Sequence, residues 1–416
     1  MTETATDADG KADVVIVGAS FAGQALALAL ARMLGSELRI VIVDRGGPAR
    51  ADAADPRAFA LSHASRQMLQ VLGVWQRIAS EAQPIERIEI TDSFLEAGVR
   101  PVLLSYDNTV ESGAPASSIM PAAVLGTALS AAVDAEPSIA IRRHSEISGL
   151  ATDAFGATLA LAGGGVVRAA LAVAADGCNS TLRQAAGIKI VGWHYPQIGI
   201  VTVVGHERPH EGVAVQHFLP GGPFAILPLK GRRSCVTWTE HEDAGRRIMA
   251  LDDATFLAEV DKRFGGRLGR LSLEGPRRCW RLEMHLARAY VSERVALVGD
   301  AAHSVHPIAG QGLNLAFRDV AALAEVVIEA ARLGLDLGDA TMLQRYERWR
   351  RFDSAVSAAT FDALNRLFSR DVALLRSMRE AGLGIVDRLP GLKQLLVNEA
   401  AGLAGEVPRL LRGERV

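Results

Sequence analysis

Two short polar runs near residue 300 combine an acid with glycines in a way that suits a flat, electron-rich ligand. Gly299-Asp300 follows an apolar stretch, and the run Gly310-Gln311-Gly312-Leu313-Asn314 follows ten residues later. The carboxylate can accept hydrogen bonds from ligand hydroxyls. Gly310 and Gly312 of the second run let the backbone approach a ring closely. This composition predicts a site for a hydroxylated ligand with a partly anionic end.

The elements on either side explain how these runs would be positioned. Residues 294–298 are apolar enough for an inner parallel strand, so Asp300 falls at the carboxyl edge, where open α/β sheets bind ligands. Apolar residues then recur at helical spacing and predict a helix from Gln311 to about Gly334. The unpaired N–H groups of its first turn favour an electron-rich group such as a reduced flavin ring. For His303 and His306, beside the helix start, a structural role is favoured over a catalytic one.

A second site is predicted near the start of the chain. A buried strand over residues 13–17 leads through Gly18-Ala19-Ser20 and Gly23 into an apolar helix, which resembles a dinucleotide-binding turn. Ser20 stands where the second glycine is expected, and its hydroxyl can donate to phosphate. A second strand ends at Asp44-Arg45, roughly 20 residues past the last glycine, where a ribose-binding acid is expected. Turn, helix, strand and acid together predict adenosine binding.

A third strand-to-acid turn contains Asp176-Gly177, Ser180 and Arg183. Asp and Ser can cap the following helix, and Arg183 can pair with a nearby carboxylate, so a structural reading stays open. Three such turns in one chain nevertheless predict one sheet whose carboxyl edge faces a long, polyhydroxylated ligand that contains a diphosphate. FAD fits this description better than a short nucleotide.

With the three motifs in this order, the chain resembles the single-component FAD-dependent aromatic hydroxylases over nearly its whole length. Within them it is most similar to the ubiquinone-biosynthesis hydroxylase group, whose hallmark run is unbroken from His306 to Leu315. Residues 55–62, 193–197 and 222–229 are also similar to that group. The chain departs from it at Ser20, Ala316 and Phe317.

The resemblance implies an α/β fold: an FAD-binding Rossmann-like domain of the glutathione-reductase type, an inserted and mostly antiparallel substrate sheet, and a C-terminal helical segment. It also implies that NAD(P)H reduces FAD and that O2 then forms a flavin hydroperoxide, from which one oxygen atom passes to an activated phenol. A hydroperoxide exposed to water decays, so the protein must exclude water.

The resemblance further implies roles for matching residues. The diphosphate would be held by Gly18, Ala19 and Gly23, the adenosine ribose by Asp44, and the ribityl chain by Asp300. Pro307 would lie against the flavin ring, and the N–H groups from Gly310 to Gly312 would stabilise the reduced anion. Asp176, Gly177 and Arg183 would brace the pyrophosphate and the coenzyme path. Arg57 is a phosphate candidate, with a solvated surface arginine as the alternative. No residue is assigned as general base.

Length and pattern predict a division into domains. The chain has 416 residues, of which 49% are hydrophobic, enough for a large core. We expect a disordered tail over 1–11, a discontinuous FAD-binding domain over 12–75, 119–185 and 277–334, a substrate domain over 76–118 and 186–276, and a helical region over 335–416. In the substrate sheet, Phe218, Phe224, Ile226 and Leu227 can face an aromatic ring, although a place in the core of the sheet is favoured.

Composition limits the partners and the location. A net charge of −2 argues against nucleic acid as a partner. Cys178, Cys235 and Cys279 are scattered, which fits a reducing cytoplasm and offers no metal-site spacing. No run is long enough to span a bilayer. We expect a cytoplasmic protein, with contact between the C-terminal helices and the inner membrane or a biosynthetic complex as a further hypothesis; a homodimer stays open.

Three functions remain in view. The first is hydroxylation of a prenylated phenol in ubiquinone biosynthesis, with O2 and NAD(P)H as co-substrates. The second is hydroxylation of a small soluble aromatic such as a benzoate or salicylate. The third is a non-catalytic, flavin-bound scaffold of a biosynthetic complex.

Overall fold

The structure is a computed structural model, which describes residues 11–47, 55–93, 95, 100–306, 310–368 and 386–416. Its helices are α1 (Phe21–Leu34), α2 (His63–Val71), α3 (Trp75–Ile78), α4 (Ala122–Asp134), α5 (Thr181–Ala185), α6 (Glu242–Met249), α7 (Asp253–Phe264), α8 (Gly312–Arg332), α9 (Ala340–Phe368) and α10 (Pro390–Ala400). Its strands up to residue 174 are β1 (Lys11–Val17), β2 (Ile40–Val43), β3 (Ala58–Ser62), β4 (Gln83–Pro84), β5 (Arg87–Asp92), β6 (Val102–Asp107), β7 (Ser117–Pro121), β8 (Ile139–Arg142), β9 (Ile147–Asp153), β10 (Gly156–Leu161) and β11 (Val166–Ala174). The later strands are β12 (Ile190–His206), β13 (Val213–Leu219), β14 (Gly222–Leu229), β15 (Arg233–His241), β16 (Leu271–Leu273), β17 (Arg278–Ala287), β18 (Val291–Ser292), β19 (Val295–Leu297) and β20 (His303–Ser304).

A parallel sheet carries the three predicted turns. Its strand order is β18-β19-β11-β1-β2-β8; β19, β11, β1, β2 and β8 run parallel to one another, and β18 at the edge is antiparallel to β19. These strands are largely apolar, as is typical of a parallel sheet that helices bury. Helix α1 packs against both α4 and α8. The antiparallel strands β9 and β10 extend from β11.

A second sheet of nine strands has the order β20-β17-β12-β15-β14-β13-β5-β6, with β16 beside β12. All of its pairings are antiparallel except β13 with β5, which confirms the predicted, mostly antiparallel substrate sheet. Two strands within the range 277–334 that the sequence predicts as FAD-binding belong to this sheet instead: β17 pairs with β12, and β20 pairs with β17. Apolar Leu282, Met284 and Leu286 alternate with polar residues in β17, which suits a sheet with two different faces. The rest of the domain division stays a prediction.

The two faces of the second sheet have different environments. Phe224 and Ile226 lie on the face that α7 covers, in a core with Trp238 and Phe256. Leu227 lies on the opposite face, in an apolar cluster that includes Ala60 of β3. Phe224 and Ile226 therefore lie in the core of the sheet, which is the alternative that the sequence favoured. Phe218 is also buried.

The C-terminal residues return to the cofactor-binding half of the molecule. Helix α9 packs on α8, and the fully buried Leu410 and Leu411 belong to the main core. Arg409 contacts Glu325 and Glu329 of α8. Within the ranges described, no helix is long and apolar enough to cross a membrane. The predicted N-terminal tail lies outside the described residues except for Lys11, which begins β1.

Candidate FAD site and active site

The ends of four neighbouring parallel strands bring the predicted turns to one edge. In the sheet, Val17 pairs with Val43 and with Ala174, and Ala174 pairs with Leu297. The turns that follow these residues therefore emerge side by side at the carboxyl edge. This is the position at which open α/β sheets bind ligands.

The first turn is built around two glycines that tolerate no side chain. Gly18 has a φ of +104°, and a Cβ there would come within 2.4 Å of the Ala175 carbonyl oxygen. A Cβ on Gly23 would come within 2.0 Å of the Gly18 oxygen. This close packing brings the α1 N-terminus against the strand ends, where its first-turn N–H groups can bind an anion.

Two further predicted residues of this turn have identifiable contacts. Ser20 is the N-cap of α1, yet its side chain makes no capping hydrogen bond; its hydroxyl lies 3.5 Å from the Ala175 oxygen. The Ala19 amide donates to the Asp44 carboxylate at 3.0 Å, and the Gly46 amide donates to the other oxygen of that carboxylate at 3.0 Å. Asp44 is thus held at the end of β2 with lone pairs left for ribose hydroxyls. The neighbouring Arg45 is exposed.

The third predicted turn is braced internally. One oxygen of Asp176 accepts hydrogen bonds from the Thr181 and Leu182 amides, so it caps α5 as the structural reading expected. Its other oxygen is buried and has no hydrogen-bond partner among the described residues. Gly177 has a φ of +84°, and a Cβ there would meet no atom within 4 Å.

Arg183 links the third turn to the turn at Asp300. Its buried guanidinium donates to the carbonyl oxygens of Ala301 at 2.9 Å and Cys178 at 2.7 Å. Burial lowers the pKa of Arg183, with the negative charge of Asp176 opposing that effect. The side chain acts here as a brace between two turns.

Asp300 follows the end of β19, at the carboxyl edge of the parallel sheet. Its side chain is solvent-accessible, yet desolvation by the surrounding protein raises its pKa, against the opposing charges of His303, His285 and Arg57. Gly299, immediately before Asp300, has a φ of +59°, which glycine adopts without steric cost.

A buried network that was not predicted holds this turn. The Asp319 carboxylate of α8 accepts from the Gly299 amide at 2.9 Å, contacts His303 Nε2 at 2.6 Å and accepts from Arg350 Nε at 2.8 Å. The network supports a structural reading of His303. An acid on the buried, apolar face of a helix was the available sequence signal for Asp319, since such groups are rarely buried without partners.

The N-terminus of α8 carries the remaining predicted site residues. Gln311 is the N-cap without a side-chain cap, and a Cβ on Gly312 would meet nothing within 4 Å. Gly310 has a φ of +62° and lies against Ala60. Leu313 is partly buried beside the main core. Pro307, together with residues 308 and 309, lies outside the described residues.

The side chain of Asn314 ties this helix start to β3 and α2. Its Oδ1 accepts from the Ser62 amide at 3.0 Å and the Ser65 hydroxyl at 2.8 Å, and its Nδ2 donates to the Ala60 oxygen at 2.8 Å and Gln311 Oε1 at 3.0 Å. The role of Asn314 toward a ligand would therefore run through its backbone.

Arg57 directly precedes β3. It pairs with Asp55 at 2.7 Å, and its guanidinium carbon lies 5.6 Å from the Trp280 ring centroid. Its side chain is 44% exposed, so both the phosphate role and the surface role remain predictions.

These residues fit FAD in three respects. The α1 and α8 N-termini lack side-chain caps, so their first-turn N–H groups face the edge without a capping side chain. Open space lies beside Gly177 and Gly312, and closed packing at Gly18 and Gly23 brings the backbone near. The carboxylates of Asp44 and Asp300 stand where ribose and ribityl hydroxyls can donate to them.

Comparisons with known proteins identify the family. The family model described as "FAD binding domain" matches residues 11–359. The chain is 42% identical to ubiquinone hydroxylase UbiL of Rhodospirillum rubrum over 411 residues, which covers 98% of this chain and 94% of that one. It is 34% identical to 3-demethoxyubiquinol 3-hydroxylase of Escherichia coli, with 94% and 98% covered.

A solved structure shows the same fold. It is p-nitrophenol 4-monooxygenase PnpA from Pseudomonas putida, with a TM-score of 0.79 at 19% identity, covering 95% of this chain and 99% of that one. The family model and the two relatives named above, at 42% and 34% identity, show that the chain belongs to the FAD-dependent monooxygenases, within the group of ubiquinone-biosynthesis hydroxylases.

Proposed function

We propose that this protein hydroxylates the ring of a prenylated phenol in ubiquinone biosynthesis, with NAD(P)H as electron donor and O2 as oxygen source. The observation that carries the proposal is the 42% identity to a protein named ubiquinone hydroxylase, which extends over 98% of the chain. The similar region covers the four turns at the carboxyl edge of the parallel sheet and the whole second sheet.

The residues have distinct tasks under this proposal. When bound, FAD supplies the redox chemistry, namely acceptance of electrons from NAD(P)H and activation of O2. Gly18 and Gly23 allow the α1 N–H groups to bind the diphosphate, and Asp44 and Asp300 accept hydrogen bonds from the sugar-like hydroxyls. The amides from Gly310 to Gly312 face the ring end, where developing negative charge is stabilised by a helix N-terminus.

The second sheet supplies an apolar wall that excludes water. Val201, Leu229 and Cys235 are buried on the face that also contacts Ala60 of β3. A Cβ on Gly310 would lie 3.7 Å from the Ala60 Cβ, so this apolar face adjoins the end of the cofactor site where the ring would lie. Water exclusion there favours oxygen transfer over release of hydrogen peroxide.

Turnover with defined substrates tests the proposal. We expect a short-chain prenylphenol to stimulate NAD(P)H oxidation by FAD-loaded protein, with product formed in nearly equal amount. Stimulation by salicylate instead would favour the small-aromatic alternative. Absence of both product and peroxide with every donor, together with retained partner binding, would favour the scaffold.

Metabolites of a strain lacking the gene provide a second test. If the proposal is correct, a quinone precursor that lacks one ring hydroxyl accumulates, and its structure identifies the carbon attacked. A normal quinone pool without such a precursor would contradict the proposal.

We further propose that the protein meets its lipid-like substrate at a membrane surface through α10. Four leucines on or directly before this helix are exposed to solvent: Leu389, Leu392, Leu395 and Leu396. Leu395 is the most exposed of them, at 64% of its surface. An exposed apolar helix face of this kind can enter the lipid interface. Leu395→Asp should reduce co-sedimentation with anionic liposomes, whereas Leu335→Asp, at another exposed leucine, should not. Equal sedimentation of both variants would contradict this surface. The homodimer stays a prediction, which sedimentation velocity of the same protein tests.

A further inference from the structure

One buried histidine, four residues before Gly310, lacks the partners that a buried imidazole needs. His306 is 1% exposed, and neither ring nitrogen has a hydrogen-bond partner among the described residues. Buried polar groups in proteins are nearly always hydrogen-bonded, since an unpaired one costs about 1–3 kcal/mol. The buried His206 of β12 follows that rule: its two nitrogens contact the Arg208 oxygen and Ser234 Oγ. His306 is therefore arranged to receive a partner from outside the described chain.

Neighbouring residues hold the His306 ring in a defined orientation. Its ring meets the Tyr195 ring edge to face, with centroids 5.2 Å apart and planes at 84°. The Tyr195 hydroxyl donates to Asp362 Oδ1 at 2.7 Å, so the proton of this hydroxyl is already used. Tyr195 comes from β12 and Asp362 from α9, which also lies against β14, β17, β18 and β20. Three elements thus converge around one unpartnered imidazole.

A second unpartnered acceptor lies in the same region. Asn365, one turn after Asp362, donates to Gln197 Oε1 at 3.2 Å, but its own Oδ1 is buried without a partner among the described residues. Tyr195 and Gln197 lie in the part of β12 where its register against β17 shifts, between His194 and Ile198. The two unpartnered groups, His306 and Asn365, are thus both linked to this part of β12 and to α9.

The charges around this group favour a neutral ligand. Burial lowers the pKa of His306 to about 4, against the opposing charge of Asp362, so the imidazole is uncharged near neutral pH. Asp362 also pairs with Arg366 at 2.8 Å, and Arg366 lies over the Trp193 ring. The charge of Arg366 is thus already paired with Asp362. A carboxylated aromatic would bring a second negative charge toward Asp362, whereas a phenol brings none.

We propose that His306 is a substrate-binding residue whose unprotonated ring nitrogen accepts the hydrogen bond of the phenol hydroxyl, with the Tyr195–Asp362 pair as the positioning element that holds the ring edge-on. This inference rests on the proposed function and names the polar contact of that site. A hydroxyl hydrogen-bonded to an acceptor carries more electron density into its ring, which makes the ring a better recipient of an electrophilic oxygen. The arrangement selects phenols over carboxylated aromatics.

The test is equilibrium binding of a short-chain prenylphenol to FAD-loaded protein, followed by the change in flavin absorbance. His306→Phe keeps the ring volume and removes both nitrogens, and we expect about tenfold weaker binding together with a larger share of peroxide during turnover. His306→Asn keeps a donor and an acceptor and should recover part of the affinity. His206→Phe, the matched buried histidine, should leave phenol affinity unchanged.

Tyr195→Phe tests the positioning role separately. Loss of the hydroxyl should lower kcat and coupling with a smaller change in the phenol dissociation constant, because the ring contact with His306 remains. Equal phenol affinity in wild type and in both His306 variants would overturn the inference. Wild-type protein that binds salicylate at least as tightly as the prenylphenol would overturn the proposed selectivity and the proposed function together. If His306→Phe does not fold, His306→Asn alone decides the question through the same titration.

Discussion

The carboxylate of Asp319 accepts a hydrogen bond from the amide of Gly299 at 2.9 Å, across 20 residues of sequence. The same carboxylate contacts His303 and Arg350. Helix α8 therefore holds the turn that carries Asp300, at the carboxyl edge of the parallel sheet, through a hydrogen bond to its backbone.

Replacement of Asp319 by Asn should disturb both stability and cofactor retention. The variant leaves the buried Arg350 without one of its two carboxylate partners, and breaking a buried pair in this way costs about 3 kcal/mol. We expect that loss in the unfolding free energy from urea titration, together with weaker FAD binding. Asp253→Asn, which removes an exposed pair with Arg277, should cost less than about 1 kcal/mol. Equal losses for the two variants would argue against the network.

The same network should make stability depend on pH at the acidic end. Burial opposes ionisation of Asp319, but the charges of His303 and Arg350 outweigh it, so its pKa in the folded protein is lowered from the ordinary value of 3.8. A group with a lowered folded pKa stabilises the fold above its unfolded pKa and loses that contribution as pH falls from the unfolded value through the folded one. The stability difference between wild type and Asp319→Asn should therefore shrink below about pH 4. Denaturant titrations from pH 7 to pH 3 measure it, and a constant difference would contradict the assignment.

Gly312→Ala separates cofactor binding from folding. The added methyl would meet no protein atom within 4 Å, and φ at this position is compatible with alanine. The apoprotein should keep or gain stability, by at most about 1 kcal/mol, while the methyl occupies space assigned to the flavin ring. We expect at least tenfold weaker FAD binding by fluorescence titration. Gly391→Ala, also in a helical first turn with open space, is the matched control; unchanged FAD affinity in Gly312→Ala would place the ring elsewhere.

Gly23→Ala should act on the fold and the cofactor together. A Cβ there would overlap the Gly18 oxygen, and relief requires α1 to move away from the strand ends. Overpacking of this kind costs about 1–3 kcal/mol, and displacement of the helix removes its N–H groups from the diphosphate. Thermal melts and FAD content of purified protein test this. Gly163→Ala, in an open turn, should alter neither quantity.

Asn314→Ala should loosen the start of α8. The substitution leaves the Ser62 amide and the Ala60 carbonyl without their Asn314 partners, a loss of about 3 kcal/mol. Chemical denaturation should show it, and amide exchange should rise in β3. Asn398→Ala, which loses one side-chain bond to Gln394, serves as the reference. A similar small effect of both would mean that Asn314 is not a tie between these elements.

The sequence by itself determined the strand-turn-helix units and the edge where their acids lie. Gly18, Gly23, Asp44, Asp176 and Asp300 were identified because a turn after a buried strand depends on local residue types and on spacing within about 20 residues. The mostly antiparallel second sheet could be predicted for the same reason, because the alternation of apolar and polar residues along a strand is a local pattern.

Only the tertiary structure decided which distant side chains meet. Asp319 with Arg350, and Tyr195 with Asp362 and His306, come from elements that are separate in sequence, and no local pattern encodes their pairing. It likewise assigned β17 to the second sheet and Phe224 to the side covered by helix. The physical reason is that burial and hydrogen bonding of these groups depend on how whole sheets and helices pack, and the hydrophobic effect that drives the packing is non-directional.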